Sequence, residues 1–385
     1  MALKFGKRFL AVLISGSLAI SCFAMQASAE SLSEMYSDNS EPVSFNAAVE
    51  GDYKQKLAEY ENAGYTPANI SEKISVGSEQ FRFDGVASPE YKDIADTRFF
   101  LWNSDIKSIS FNVGVPVSGL YTFGFVYSAD TVASADIIRT MSVDGAVPYE
   151  ECATLYLPRK WKNGEVGVDN SGDEVNPLMI QQEDVQDGVI FDNEGRYAEP
   201  LQIYLEQGNH TFSFGFNSMD VYVSSFFLDS YNTVPTYETV SKEYGGYSSY
   251  HGQSVVFETE DSVAYTNSST LNMDSDGDPL CSPLSRGTVK MNVIGGSSNQ
   301  KPGTAATFSF SVKESGLYKL AFRVKQNYRD GLPTYRRIEV DGSVPFKEFS
   351  EYKFINKSNW RTEVLSSEKG EPYLLYLESG THTLT

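Results

Sequence analysis

Cysteine, histidine and tryptophan each occur only three times in 385 residues, and 31 Lys plus Arg stand against 51 Asp plus Glu. Each shortage removes a class of function. Cys22 lies in a leader-like N-terminal stretch, so Cys152 and Cys281 remain, at non-equivalent places, and form neither a disulfide framework nor a zinc cluster. They read as buried free thiols. No two histidines stand at metal-ligand spacing and no nucleophile elbow accompanies them, so a hydrolytic triad has no support. A formal net charge of −20 repels nucleic acid and anionic membrane surfaces. The apolar run from Phe9 to Ile20 is too short for a membrane span.

That run belongs to an export signal. Lys4, Lys7 and Arg8 precede it and Ala27-Ser28-Ala29 follows, predicting removal of residues 1–29 and a mature start at Glu30. Ala19-Ile20-Ser21-Cys22 offers an alternative, a lipobox-like cut that leaves Cys22 lipidated. The location implied is secreted or cell-surface.

What the chain has in abundance is repetition. "RTMSVDGAVPYEEC" from Arg139 returns as "RRIEVDGSVPFKEF" from Arg336, and Phe111/Phe308, Gly119/Gly316 and Asp144/Asp341 are all 197 positions apart. Alternating runs flank Ser-Gly-Leu-Tyr in both copies: Phe111, Val113, Val115 then Phe123, Phe125, Tyr127, and Phe308, Phe310, Val312 then Leu320, Phe322, Val324. A period of two means strands with one buried face. Asp144-Gly145 and Asp341-Gly342 then read as tight turns that need positive φ, with Pro148 and Pro345 ending the strand that follows.

A later block, "EPLQIYLEQGNHTFSF" from Glu199, returns as "EPYLLYLESGTHTLT" from Glu371 at an offset of 172. The first copy therefore holds about 25 extra residues. They fall between Tyr156 and Tyr197, where "WKNGEVGVDNSGDEVNP" reads as a long surface loop. His210 and His382 occupy the same repeat position and read as structural or surface residues. The chain is thus predicted to be all-β, with a first β-sandwich over 41–230, a linker over 231–252 and a second β-sandwich over 253–385. The second lacks counterparts to Phe214 through Leu228, from which a fragment of a longer protein is expected. One helix is expected, "DYKQKLAEYENA", with Tyr53, Leu57 and Tyr60 on one face.

Candidate site residues are few. Trp161 ("RKWKN") and Trp360 ("KSNWRTE") follow their repeats' hairpins in polar surroundings, where a rigid ring offers an apolar platform to a sugar's C–H face. Arg159 and Arg361 stand beside them as partners for hydroxyls or carboxylates. Asp274, Asp276 and Asp278 alternate beside Gly277 like the start of a calcium loop, but the twelfth position is Ser285 rather than Glu, so calcium stands against a solvated acidic turn.

The motifs "GLYKLAFRVKQN", "RRIEVDGSVPFKEF", "GEPYLLYLESGTHTL", "RTMSVDGAVPY" and "YAEPLQIYLEQGNHTFSF", with "NVIGG" at Asn292 to Gly296 and Pro302-Gly303, resemble the paired N-terminal β domains of large exported solute-binding proteins of Gram-positive ABC sugar importers. The likeness covers Glu41 to Thr385. It implies galactose-binding-like jelly-roll domains akin to carbohydrate-binding modules, a bilobed substrate-binding body beyond them, and an ABC permease as partner of the full-length protein. Relatives carry Trp after the Gly-Gly, where this chain has Ser297, Ser298 and Asn299. The reading is a non-catalytic region that binds an oligo- or polysaccharide. Its alternatives are an accessory region of a secreted polysaccharide-degrading enzyme and a structural spacer.

Overall fold

The alternating runs fold as strands because alternate side chains leave a pleat on one face, and here that face is buried. A computed structural model describes residues 49, 51–129, 133–231, 233–261, 264–266, 271–296, 301–328 and 330–385. Cys22, Ala27-Ser28-Ala29, and Ser297 to Asn299 lie outside the described residues.

The first half is a sandwich of two antiparallel sheets. One runs Val185–Val189, Gly119–Ala129, Val221–Ser230, Thr97–Trp102, Tyr91–Ile94, with Ile74–Gly77 and Gln202–Leu205 as further partners of Val221–Ser230 and Gly119–Ala129. The other runs Arg82–Asp84, Ser108–Val115, Gly208–Ser218, Ile137–Val143, Leu155–Leu157. Phe111, Phe212 and Phe214 of the second sheet meet Phe125 and Phe226 of the first, with cross-sheet ring centroids 4.9 to 5.4 Å apart. In the second half Phe308 and Val312 are buried, while Phe310, Leu320, Phe322 and Val324 are half-buried around Ile338, Phe346, Phe349, Leu365 and Leu384. The all-β expectation holds.

The repeat is written in polar contacts as well as apolar ones. Val143 and Ala146 exchange backbone hydrogen bonds across Asp144 (φ 51°) and Gly145 (φ 84°), as do Val340 and Ser343 across Asp341 (φ 51°) and Gly342 (φ 74°). Positive φ at both central residues is the hairpin geometry that Asp-Gly permits. A Cβ on either glycine would touch nothing within 4 Å, so backbone conformation, not space, selects glycine there. Each turn aspartate is then clipped. His210 Nδ1 lies 2.6 Å from Asp144 Oδ2 and Nε2 lies 2.9 Å from the Glu206 carbonyl; His382 repeats this on Asp341 and Glu378 at 2.7 and 2.8 Å. The Thr211 and Thr383 amides donate to the other carboxylate oxygens at 2.8 Å.

The helix Tyr53–Ala63 forms as expected, capped by Asp52, which accepts from the Gln55 amide, and closed by Gly64 at φ 70°. Within the segment expected to be a linker, 231–252, lies a short helix, Tyr237–Ser241, that repeats the first one's contacts. The Tyr53 amide donates to Glu151 Oε2 and the Tyr237 amide to Glu348 Oε2, both at 2.8 Å. The Tyr53 hydroxyl accepts from the Gln202 amide and that of Tyr237 from the Leu374 amide, both at 3.0 Å. Tyr65 stacks on Tyr204 at 3.6 Å and Tyr247 on Tyr376 at 3.9 Å. The second repeat therefore opens near Pro235, whose carbonyl accepts from the Lys347 amide as Gly51 accepts from Glu150.

The extra residues of the first half are not a free surface loop either. Lys160–Asn163 and Met179–Gln182 pair with each other, and Lys160–Asn163 pairs on its far side with Ala264–Thr266 of the second half. One sheet thus runs Met179–Gln182, Lys160–Asn163, Ala264–Thr266, Ala305–Val312, Gly380–Leu384 across both halves. Beside it Glu174 accepts from Lys290 Nζ at 2.7 Å and from the Met291 amide at 2.8 Å, while Asp173 accepts from the Val289 amide at 2.7 Å. Unpaired strand edges and an acidic turn facing a lysine supply what the local sequence does not display.

Both ring nitrogens of His210 and His382 face acceptors, so each ring satisfies both only as an imidazolium. The bond to Asp341, aided by the Glu378 carbonyl, raises His382; at His210 partial burial opposes, but Asp144 and the Glu206 carbonyl outweigh it. A raised histidine stabilises fully below its ordinary value of 6.5 and loses that contribution as pH rises through the folded value. Asp341 feels burial upward, but His382 and the Thr383 amide hold it below its ordinary 3.8, so its share is present above 3.8 and lost as pH falls through the lower folded value. The melting-temperature gap between wild type and the His210→Gln/His382→Gln variant is therefore expected to be widest between about pH 4 and 6.5 and to close as pH rises above that range. A gap that persists unchanged to pH 9 contradicts the clip.

Candidate functional site

The two tryptophans have different fates. Trp161 sits in the strand Lys160–Asn163, not in a loop, opposite Tyr265 on one side and Gln181 on the other. It is 7% exposed and packs with Tyr265 and Leu271, backed by Met179, Ile294 and Ala306. The expectation of an exposed ring is corrected here: pairing across the two halves buries it. Arg159 is buried too, its Nε donating to the Ala135 carbonyl at 2.8 Å, so it offers no open fork beside Trp161.

Trp360 is half-buried in Lys357–Val364, which pairs with Ala321–Gln326. In that ribbon Phe322, Val324, Arg361 and Glu363 share the face turned to the core, because directly paired residues project together. Arg361 is therefore on the opposite face from Trp360 and is held by Glu363, with Nε to Oε2 at 2.8 Å. The cations that accompany Trp360 are Lys325 and Arg323. Lys325 Nζ lies 2.9 Å from Asp276 Oδ2 and 5.7 Å from the indole centroid; Trp360 Nε1 donates to the same Oδ2 at 2.8 Å; Arg323 Nη1 donates to the Leu280 carbonyl at 2.8 Å.

This arrangement joins two sequence features that had no visible connection, the acidic turn and the second tryptophan. Asn292, buried, holds the turn in place: its Oδ1 accepts from the Asp276 amide and its Nδ2 donates to the carbonyls of Asp276 and Pro283, at 2.8 to 2.9 Å. The calcium alternative gains nothing. Asp274, Asp276 and Asp278 each accept a nearby backbone amide, from Ser275, Asp278 and Leu280 respectively, and the other oxygen of Asp276 is engaged by Lys325 and Trp360. Among the described residues no three His, Cys, Asp or Glu side chains converge as a metal would require.

Lys325, then Trp360, hold the Asp276 carboxyl below its ordinary range, so at neutral pH it is an ion-paired acceptor and a poor proton donor. The indole donates its N–H to Asp276, which fixes the ring. Lys325 and Arg323 alternate with Phe322 and Val324 in "FRVKQ", so the period-two run that turns the apolar residues inward puts these two bases on the other face.

No family model and no curated protein matches the chain. Among solved structures, it is similar to a family 35 carbohydrate binding module from Clostridium thermocellum, at 13% identity and a TM-score of 0.25 over 42% of this chain and 100% of that one. A GH26-CBM35 β-(1,4)-mannanase from Podospora anserina gives 12%, 0.23, 46% and 36% in the same order. A cycloisomaltooligosaccharide glucanotransferase from Paenibacillus sp., complexed with cycloisomaltoheptaose, gives 12%, 0.27, 86% and 50%. Every one of these TM-scores is below 0.5, and the fold stands on the strand pairings above.

Trp161→Ala is expected to cost about 3 kcal/mol of stability, as for a buried tryptophan whose site collapses poorly. Denaturant unfolding within about 1 kcal/mol of wild type would contradict that packing.

Proposed function

We propose that this chain is the non-catalytic glycan-binding region of an exported solute-binding protein that serves an ABC sugar importer. The observation that carries the binding reading is the Trp360, Lys325 and Asp276 cluster: a fixed aromatic surface bordered by a cation and a carboxylate, on a ribbon face anchored by Asn292. A sugar ring presents axial C–H patches and hydroxyls, which the indole face and the Lys325 ammonium complement. The import context is supported by the motifs shared with the β domains of such proteins, and the permease is then the partner of the full-length protein. Export is supported by the leader-like N-terminal stretch, and a Gram-positive setting by the resemblance to those importer proteins. Mass spectrometry of the secreted protein is expected to find Glu30 at the mature N-terminus; a lipidated Cys22 would redirect the anchoring.

Calorimetric titration of neutral and acidic oligosaccharides into the purified chain tests the binding reading. Trp360→Ala, while keeping the wild-type melting temperature within a few degrees, is expected to weaken binding about tenfold, the ~1.4 kcal/mol of one stacking contact. No heat with any glycan would favour a spacer instead, and affinity untouched by Trp360→Ala would place the binding away from Trp360.

A further inference from the structure

We infer a second sugar-binding place in the first half, a cleft at the point where Val221–Ser230 changes neighbours; this rests on the glycan-binding reading above. Along one edge Val221, Tyr222 and Val223 pair with Trp102, Leu101 and Phe100, whereas Ser225 through Leu228 pair with Gly77 through Ile74. Ser224 falls between the two ladders, and the register against Gly119–Ala129 shifts at the same residue. A bulge at a change of partner opens a gap, and such gaps re-aim side chains toward a ligand. The gap here is a cleft of about 430 Å³, lined by Gly77, Ser78 and Glu79 on one side, Tyr91 and Arg98 on the other, and Ser224 and Ser225 between.

The polar groups of this cleft are unspent. Arg98 lies over the Tyr91 ring at 4.3 Å, and among the described residues its guanidinium makes no hydrogen bond or ion pair. The Glu79 carboxylate receives a single long contact, 3.4 Å from Gln80 Nε2. The Ser224 and Ser225 hydroxyls and the Tyr91 hydroxyl hold no hydrogen bond among the described residues. The Glu79 carboxylate lies across the strand end at Gly77, where a Cβ would meet its Oε2 at 2.2 Å.

The occupant follows from the charges. An anionic ligand meets Glu79 and a cationic one meets Arg98. A neutral glycosyl unit satisfies both, because a guanidinium donates to two adjacent hydroxyls, a carboxylate accepts from two, and serines bridge the rest. The class is a neutral hexose- or pentose-based oligosaccharide.

The test uses the whole chain and four probes: cellotetraose, mannotetraose, xylotetraose and maltotetraose. In a Trp360→Ala background, Arg98→Ala and Glu79→Gln are each expected to weaken the remaining affinity about tenfold, the loss of one good polar contact. Independently of any substitution, a saturating probe is expected to slow amide hydrogen exchange in residues 74–80 and 222–226. Unchanged exchange there, or unchanged affinity in both cleft variants, overturns the cleft even where Trp360→Ala alone still weakens binding. The converse, cleft variants that weaken binding while Trp360→Ala has no effect, supports the cleft and sinks the Trp360 site. An absence of heat with all four probes overturns the cleft.

Discussion

The pairing of Lys160–Asn163 with Ala264–Thr266 is the contact on which the arrangement of the chain depends. Only Tyr265 with Trp161 and Thr266 with Lys160 stand in register, yet this short ladder turns strands of two repeats into one sheet. A two-residue ladder is weak alone, so it needs flanking support. Trp161, Tyr265 and Leu271 supply an apolar cluster on it, and the Asn163 amide donates to the Tyr265 hydroxyl at 2.8 Å. Glu174 with Lys290 and the Met291 amide, and Arg337 with the Ala198 carbonyl, hold the two repeats together at further points. The extra residues of the first repeat are thereby explained by contact with the second.

That dependence also accounts for what could be read from the sequence. Period-two runs, Asp-Gly turns and the Asp52-capped helix are local: spacing and backbone preference decide them, and all appear where expected. The second helix escaped because a single turn, Tyr237–Ser241, is too short to display a periodic face. Its signal was different in kind, a tyrosine pair seven apart and a Gly-Tyr, Tyr53, Tyr60, Gly64-Tyr65 against Tyr237, Tyr244, Gly246-Tyr247, at offsets that no longer equal 197. Trp161 was misjudged for a related reason. Its neighbours are Lys, Lys and Asn, which describe the outward face of a strand, and its burial comes mostly from Tyr265 and Leu271, more than a hundred positions away.

The candidate site was half legible. Trp360 and Asp276 both stood out as unusual, each in its own context, but 84 residues separate them and only the fold of the acidic turn brings them to one hydrogen bond. Lys325 was invisible as a site residue because a base alternating with apolar residues is the ordinary outward pattern of a strand. Arg361 was placed beside Trp360 by adjacency in sequence, and adjacency in a strand means opposite faces.

The duplicated and the unduplicated parts divide cleanly. Turn, clip, helix cap and tyrosine stack all recur, and each fixes backbone. The Trp360 cluster does not recur. Val324 pairs with Arg361 as Tyr127 pairs with Gln186, which places Val185 where Trp360 stands, and the 197 offset places Ser128 where Lys325 stands. Ser128 is fully buried, and Gln186 donates inward to the Pro158 carbonyl at 3.0 Å. A ribbon face that is buried in one repeat and carries an indole, an ammonium and a carboxylate in the other has been relieved of packing duty in the second. Retained scaffolding tolerates such divergence because the clips, not the ribbon's outer face, hold the Asp-Gly turns in place.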